Sequence, residues 1–150
     1  METKDLLKDF GDRIGVALEP DADGVCAFAA DGLAVSIHDL PEVGAVALVG
    51  DLGEPPPERL EGLYEALLGA NHLFRDTGGA TLSRDPDSGR FALCRALPVK
   101  ALDADAFYDV VERFVSSAHV WARVVRDYRA TDAAPADVAP VAPFSGFMSV

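Results

Sequence analysis

The sequence predicts an α+β protein, a two-layer sandwich of order α-β-β-β-α-β-β-α with a mainly antiparallel, twisted five-stranded sheet. Three observations predict it. Near the N-terminus apolar residues recur at Leu7, Phe10, Ile14 and Ala17, the spacing of one helical face. Leu33, Val35 and Ile37 alternate with Ala34, Ser36 and His38 directly after Asp31-Gly32, a strong signal for a two-residue hairpin. Towards the C-terminus Phe107, Val111, Phe114, Ala118, Trp121, Val125 and Tyr128 form a sustained one-sided helical seam.

The first helix is expected to start at Thr3 as N-cap, with Asp5 in the first turn where the helix dipole favours negative charge. Gly11 and Gly15 each cost about 1 kcal/mol relative to Ala inside a helix, and at i, i+4 they make a flat stripe suited to close approach. Glu19-Pro20-Asp21-Ala22-Asp23-Gly24 ends the helix. Val25 to Ala30 is the first strand, and the second follows the Asp31-Gly32 turn. Residues 45–51 are apolar on both faces, which places the third strand centrally. Gly53-Glu54-Pro55-Pro56-Pro57 stiffens the entry to a second helix carrying Leu60, Leu63, Tyr64, Leu67 and Leu68 through Asn71. Thr77-Gly78-Gly79 stops it. Residues 80–84 and 90–98 then read as a hairpin around Asp85-Pro86-Asp87-Ser88-Gly89. The last helix is expected over 103–129, roughly 40 Å of seam at 1.5 Å per residue, read as core rather than an independent coiled coil. Residues 1–129 thus form one domain. The Ala/Pro/Val/Asp segment 130–150 cannot build a core and is expected to be a disordered tail, although its end, Phe144-Ser145-Gly146-Phe147-Met148, suits docking on a groove.

A net charge of -12 excludes nucleic acid as a partner, because phosphate binding needs clustered Lys and Arg, and disfavours an anionic membrane surface. It suits a partner with a basic segment. No apolar run is long enough to cross a bilayer, and the first residues lack the order of a secretory signal. Cys26 and Cys94 lie in apolar strand patterns and read as buried thiols of a reducing cytoplasm.

No constellation carries catalytic chemistry. Asp21-x-Asp23-Gly24 begins like a calcium loop, but Gly32 stands where the twelfth-position Glu belongs, so it reads as a turn. Thr77-Gly78-Gly79-Ala80-Thr81 lacks the Lys and the strand-to-helix order of a phosphate cradle. His38, His72 and His119 have no second ligand at metal spacing. Cys94-Arg95 falls in an alternating strand, which argues for packing over reactivity. Catalytic, cofactor-binding and metal-binding residues are therefore expected to be none. What remains is excess apolarity: the first two helices carry Leu6, Leu7, Phe10, Ile14 and Leu18, and Leu60, Leu63 and Leu67 beside Tyr64, Leu68 and Phe74, over wider arcs than one sheet face requires. The expectation is two contacts, one between subunits and one with another protein.

Leu6-Leu7-Lys8-Asp9-Phe10-Gly11, the hairpin from Val25 to Ile37, Leu63-Tyr64-Glu65-Ala66-Leu67-Leu68-Gly69-Ala70-Asn71, Phe91-Ala92-Leu93 and Val111-Glu112-Arg113-Phe114-Val115 occur in an order and spacing that resembles the CesT-type (Tir chaperone) type III secretion chaperones. The resemblance covers about residues 3–129. It implies a non-enzymatic, cytoplasmic homodimer that winds the extended N-terminal segment of one or a few effectors around itself, with no cofactor. The resemblance implies a client surface of Leu7, Phe10, Ile14, Phe28, Val35 and Ile37. It implies a two-fold interface of Leu60, Leu63, Tyr64, Leu67 and Asn71. Its partners would be a secreted effector and a second copy, with the secretion ATPase as a further contact for release. An adaptor of the same fold outside secretion, and a small ligand-binding or enzymatic α+β domain, stay open at this point.

Overall fold

Three helices pack on one face of an antiparallel sheet. The computed structural model describes residues 2–128 and a short strand at 147–149. The elements are α1 (Thr3–Ile14), β1 (Val25–Ala30), β2 (Leu33–Leu40), β3 (Ala45–Gly53), α2 (Leu60–Asn71), β4 (Thr81–Arg84), β5 (Phe91–Pro98), α3 (Ala104–Asp127) and β6 (Phe147–Ser149), with single 3-10 turns at Pro41–Val43, Pro57–Arg59, His72–Phe74 and Val99–Ala101. The sheet order is β4-β5-β3-β2-β1-β6, antiparallel throughout. The five strands and three helices expected from the sequence are all present, and β3 is central as its two apolar faces imply.

Turn chemistry sets the joints. Asp31 and Gly32 both take positive φ (48° and 82°), the geometry that matches strand twist in a two-residue hairpin. The Asp21 carboxylate accepts from the backbone N–H of Asp23 and Val25, each at 2.9 Å, so the apparent calcium loop is a self-satisfied turn. Asp103 caps α3, its carboxylate accepting from Ala106 N–H at 2.8 Å. The cap of α1 differs from expectation. Glu2 is the N-cap, and Thr3 instead donates its hydroxyl to Asp39 at 2.9 Å, tying α1 to the end of β2.

The Gly11/Gly15 stripe also differs. Gly15 is the left-handed residue that ends α1 (φ 71°), and a Cβ on Gly11 would lie 2.6 Å from the Val16 carbonyl oxygen. These glycines let the chain fold back on its own helix, so the close approach they permit is internal.

Alternate strand residues point to the helices: Cys26, Phe28 and Ala30 on β1, Leu33, Val35 and Ile37 on β2, Val46, Leu48 and Leu52 on β3, Leu93 and Leu97 on β5 are buried. The α3 seam covers them. Gly50 lets α3 press against β3, since a Cβ there would lie 3.0 Å from that of Ala118. Trp121 is fully buried and donates its ring N–H to the Asp76 carbonyl at 3.1 Å, which fixes the loop after α2 to α3. Cys26 and Cys94 are free thiols. Register places them three strand spacings apart, roughly 14 Å, well beyond disulfide reach.

Of the expected disordered segment, residues 130–146 and 150 lie outside the described residues. Residues 147–149 depart from expectation: they form β6 and make the sheet six-stranded.

Candidate interaction surfaces

The residues expected to meet a client converge, but inside the protomer. Phe10 projects from α1 into an aromatic cluster, its ring 5.7 Å from Phe28 of β1, 5.6 Å from Phe107 and 6.0 Å from Tyr108 of α3. Edge-on pairs of this kind add about 0.5–1.5 kcal/mol each beyond their buried area. Leu7, Phe10, Phe28, Val35 and Ile37 are all buried, and only Ile14 is partly exposed. The side-chain client surface expected of those five is thus corrected. Helix α1 uses its broad apolar arc on two neighbours at once, the sheet below and α3 beside it, so little is left over. What this end of the fold offers outward is main chain: β1 is an uncharged strand next to the margin of the sheet.

The expected dimer residues divide. Leu63 (0% exposed) and Leu67 belong to the core, whereas Leu60 and Tyr64 are half-buried. Tyr64 stacks on Phe91 at 5.8 Å, and its hydroxyl accepts from Arg84 at 2.9 Å. Asn71 acts as a substitute strand. Its amide donates to the Leu82 carbonyl at 3.0 Å and accepts from Leu82 N–H at 2.8 Å, filling both outward main-chain groups of Leu82 in the edge strand β4.

A different set is open to solvent: Leu68 (69% exposed), Leu73 (82%) and Phe74 (57%), contributed by the last turns of α2 and the segment after it. Leu73 and Phe74 sit at φ 54° and 53°, a left-handed conformation that L-residues with large side chains seldom adopt. Sequence reasoning noted Leu68 and Phe74 as surplus but had no signal for this backbone. The local hydrogen bonds Arg75 N–H to His72 O and Thr77 N–H to Phe74 O, with the Trp121 anchor on Asp76, hold the segment so. Two adjacent residues held in that region, both displaying apolar side chains, mark a surface kept at a cost in local energy.

Arg90 grips Asp51 with two nitrogens at 2.8–3.1 Å, and Asp51 raises the guanidinium pKa. Burial raises the Cys26 thiol pKa, with Asp21 adding to it, so this is an inert thiol. Burial, then the like charge of Arg113, lowers the Arg95 guanidinium pKa. Among the described residues no group of three or more His, Cys, Asp or Glu side chains is placed to hold a metal ion, and no helix is long and apolar enough to cross a membrane.

The sequence matches the Tir chaperone protein (CesT) family over residues 5–122, and the chain belongs to that family. No curated protein matches it. Among solved structures it is similar to an ExsC–ExsE complex (TM-score 0.72, 21% identity, covering 86% of this chain and 100% of the other). It is also similar to the HopA1–SchA chaperone–effector complex (TM-score 0.65, 22% identity, 83% and 92% covered). A third is the heterodimeric ExoU–SpcU complex of the type III secretion system of Pseudomonas aeruginosa (TM-score 0.63, 21% identity, 81% and 98% covered).

Proposed function

We propose that this type III secretion chaperone acts as a cytoplasmic homodimer that holds the extended N-terminal segment of an effector, without catalysing any reaction. The single observation that supports the client site best is the margin at β1: an uncharged strand, Val25–Ala30, already paired by an extended segment of three residues. A client strand laid there gains main-chain hydrogen bonds, and its alternate side chains reach the rim that α1 and the β1–β2 hairpin form around it. Ordering such a segment costs several kcal/mol, so the contact must be long, and a dimer doubles its length. The net charge of -12 steers basic segments towards it.

Leu68, Leu73 and Phe74 supply the two-fold contact in this reading. Burying each contributes roughly 1.5–3 kcal/mol, and symmetry counts each residue twice. The half-buried Leu60 and Tyr64 flank it, and the secretion ATPase is the partner proposed for release. The test is co-expression with effector candidates, followed by light scattering. A complex with two chaperone chains, lost when the effector's N-terminal segment is deleted, is expected. A monomer that retains effectors lacking that segment would overturn both parts.

A further inference from the structure

The two margins of the sheet are closed in different ways. At β4 a side chain of the adjoining helix, Asn71, fills the outward groups of Leu82 permanently. At β1 the cover is a strand from the far end of the same chain, with Phe147 opposite Ala30, Met148 opposite Ala29 and Ser149 opposite Phe28. The start of β1 is held otherwise: Val25 donates to the Asp21 carboxylate and accepts from the Asp21 N–H, each at 2.9 Å. The tight Asp31-Gly32 turn makes Ala30 and Leu33 the hydrogen-bonded pair that closes the hairpin. By the alternation of antiparallel pairing, the main-chain groups of Ala29, Ala27 and Val25 then face outward, those of Ala29 to β6 and those of Val25 to Asp21.

The tether fits this use. Arg59 donates to the carbonyl of Tyr128, pinning the end of α3 beside α2, where a Cβ on Gly62 would lie 3.0 Å from the Tyr128 hydroxyl. Helix α2 lies at the β4 side of the sheet, and β6 lies at the opposite margin, five strand spacings or about 24 Å away. That separation is within reach of a single chain, since the 18 residues between Tyr128 and Phe147 can span at most about 60 Å. Tethering at this scale gives an effective concentration near the millimolar range, enough to keep seated a strand that binds only weakly from free solution.

We infer that residues 147–149 are a resident strand on the outer edge of β1, which an incoming extended segment must displace. A strand of only three residues suits such a role. A longer segment that pairs along Cys26–Ala30 makes more residue pairs than β6 and wins the edge, whereas a poorly matched peptide does not. The consequence for clients rests on the chaperone reading above; the occupancy itself does not.

Two measurements decide it without a client. A fluorescent peptide of residues 138–150 is titrated by anisotropy against the full chain and against a chain ending at Thr131, whose helices and first five strands are intact. Binding to the shortened chain, at least tenfold tighter than to the full chain, is expected, because the full chain's own strand reduces the open fraction. Equal affinity for the two, or no binding to the shortened chain, overturns the inference. In the second, Ala29→Cys and Met148→Cys are combined with Cys26→Ser and Cys94→Ser, and the protein is oxidised at low concentration. A crosslink within one chain is expected. A product of twice the mass, or none, overturns the assignment to the same chain. Failure of the chaperone reading shows separately, as absence of a co-purifying effector while these two results stand.

Discussion

Replacing Asn71 by Ala removes one side chain and two hydrogen bonds, both to the main chain of Leu82 at 2.8 and 3.0 Å. Each such bond contributes about 0.5–1.5 kcal/mol net, and more when the groups left behind stay shielded from water. Asn71 is half-buried, so water replaces part of what is lost, and the expected destabilisation is about 2 kcal/mol. For a domain of this size that is roughly 6–10 °C in Tm. The Asn71→Asp variant is the sharper probe. It keeps the acceptor for Leu82 N–H but sets a carboxylate against the Leu82 carbonyl, so at neutral pH it is expected to cost at least as much. Urea unfolding followed by far-UV circular dichroism at two protein concentrations measures both. The two concentrations separate protomer stability from subunit association. A change below about 0.5 kcal/mol for Asn71→Ala, or a loss confined to association, would refute the strand-capping argument and return Asn71 to the subunit contact.

Other outcomes follow from the same packing. Leu63→Asp buries a charge in the core and is expected to unfold the protomer, whereas Leu73→Asp or Phe74→Asp should yield a folded monomer by light scattering and circular dichroism. Phe10→Ala opens a cavity among Phe28, Phe107 and Tyr108 and should cost about 3–5 kcal/mol in chemical unfolding. Gly11→Ala drives a Cβ against the Val16 carbonyl and should lower Tm by several degrees; an unchanged Tm would mean that the turn after α1 yields freely. Cys26 is buried with a raised thiol pKa, so a disulfide reagent at pH 7–8 should modify it only on the unfolding timescale.

Periodicity made the elements legible. The α3 seam, the Leu33–Val35–Ile37 alternation and the hairpin signals all record which side of an element meets the core, and that is local information. The site was less legible because exposure is a property of the assembled layers. From sequence, the arc of Leu7, Phe10 and Ile14 looks wider than a sheet needs, and nothing local reveals that α3 takes up the surplus. Leu63 and Leu68 both read as helix-face leucines, yet one is core and the other open. Phe74 reads from sequence as surplus apolarity, but the exposure of Leu73 and the left-handed backbone of both have no sequence signal, since that backbone contradicts the preference of both residue types. The resemblance assigns Asn71 to the two-fold contact. Its bond to a strand eleven residues on depends on tertiary placement that no spacing rule encodes.

The Asn71 fork has a consequence for assembly. Fibril growth by sheet extension needs a donor margin and an acceptor margin on every unit, so that each arrival leaves a fresh end. With Leu82 of β4 closed by an amide of the adjoining helix, head-to-tail addition through that margin must first break two hydrogen bonds, even when residues 147–149 are pulled away. The β1 margin can therefore take in an extended polypeptide while the opposite margin resists extension.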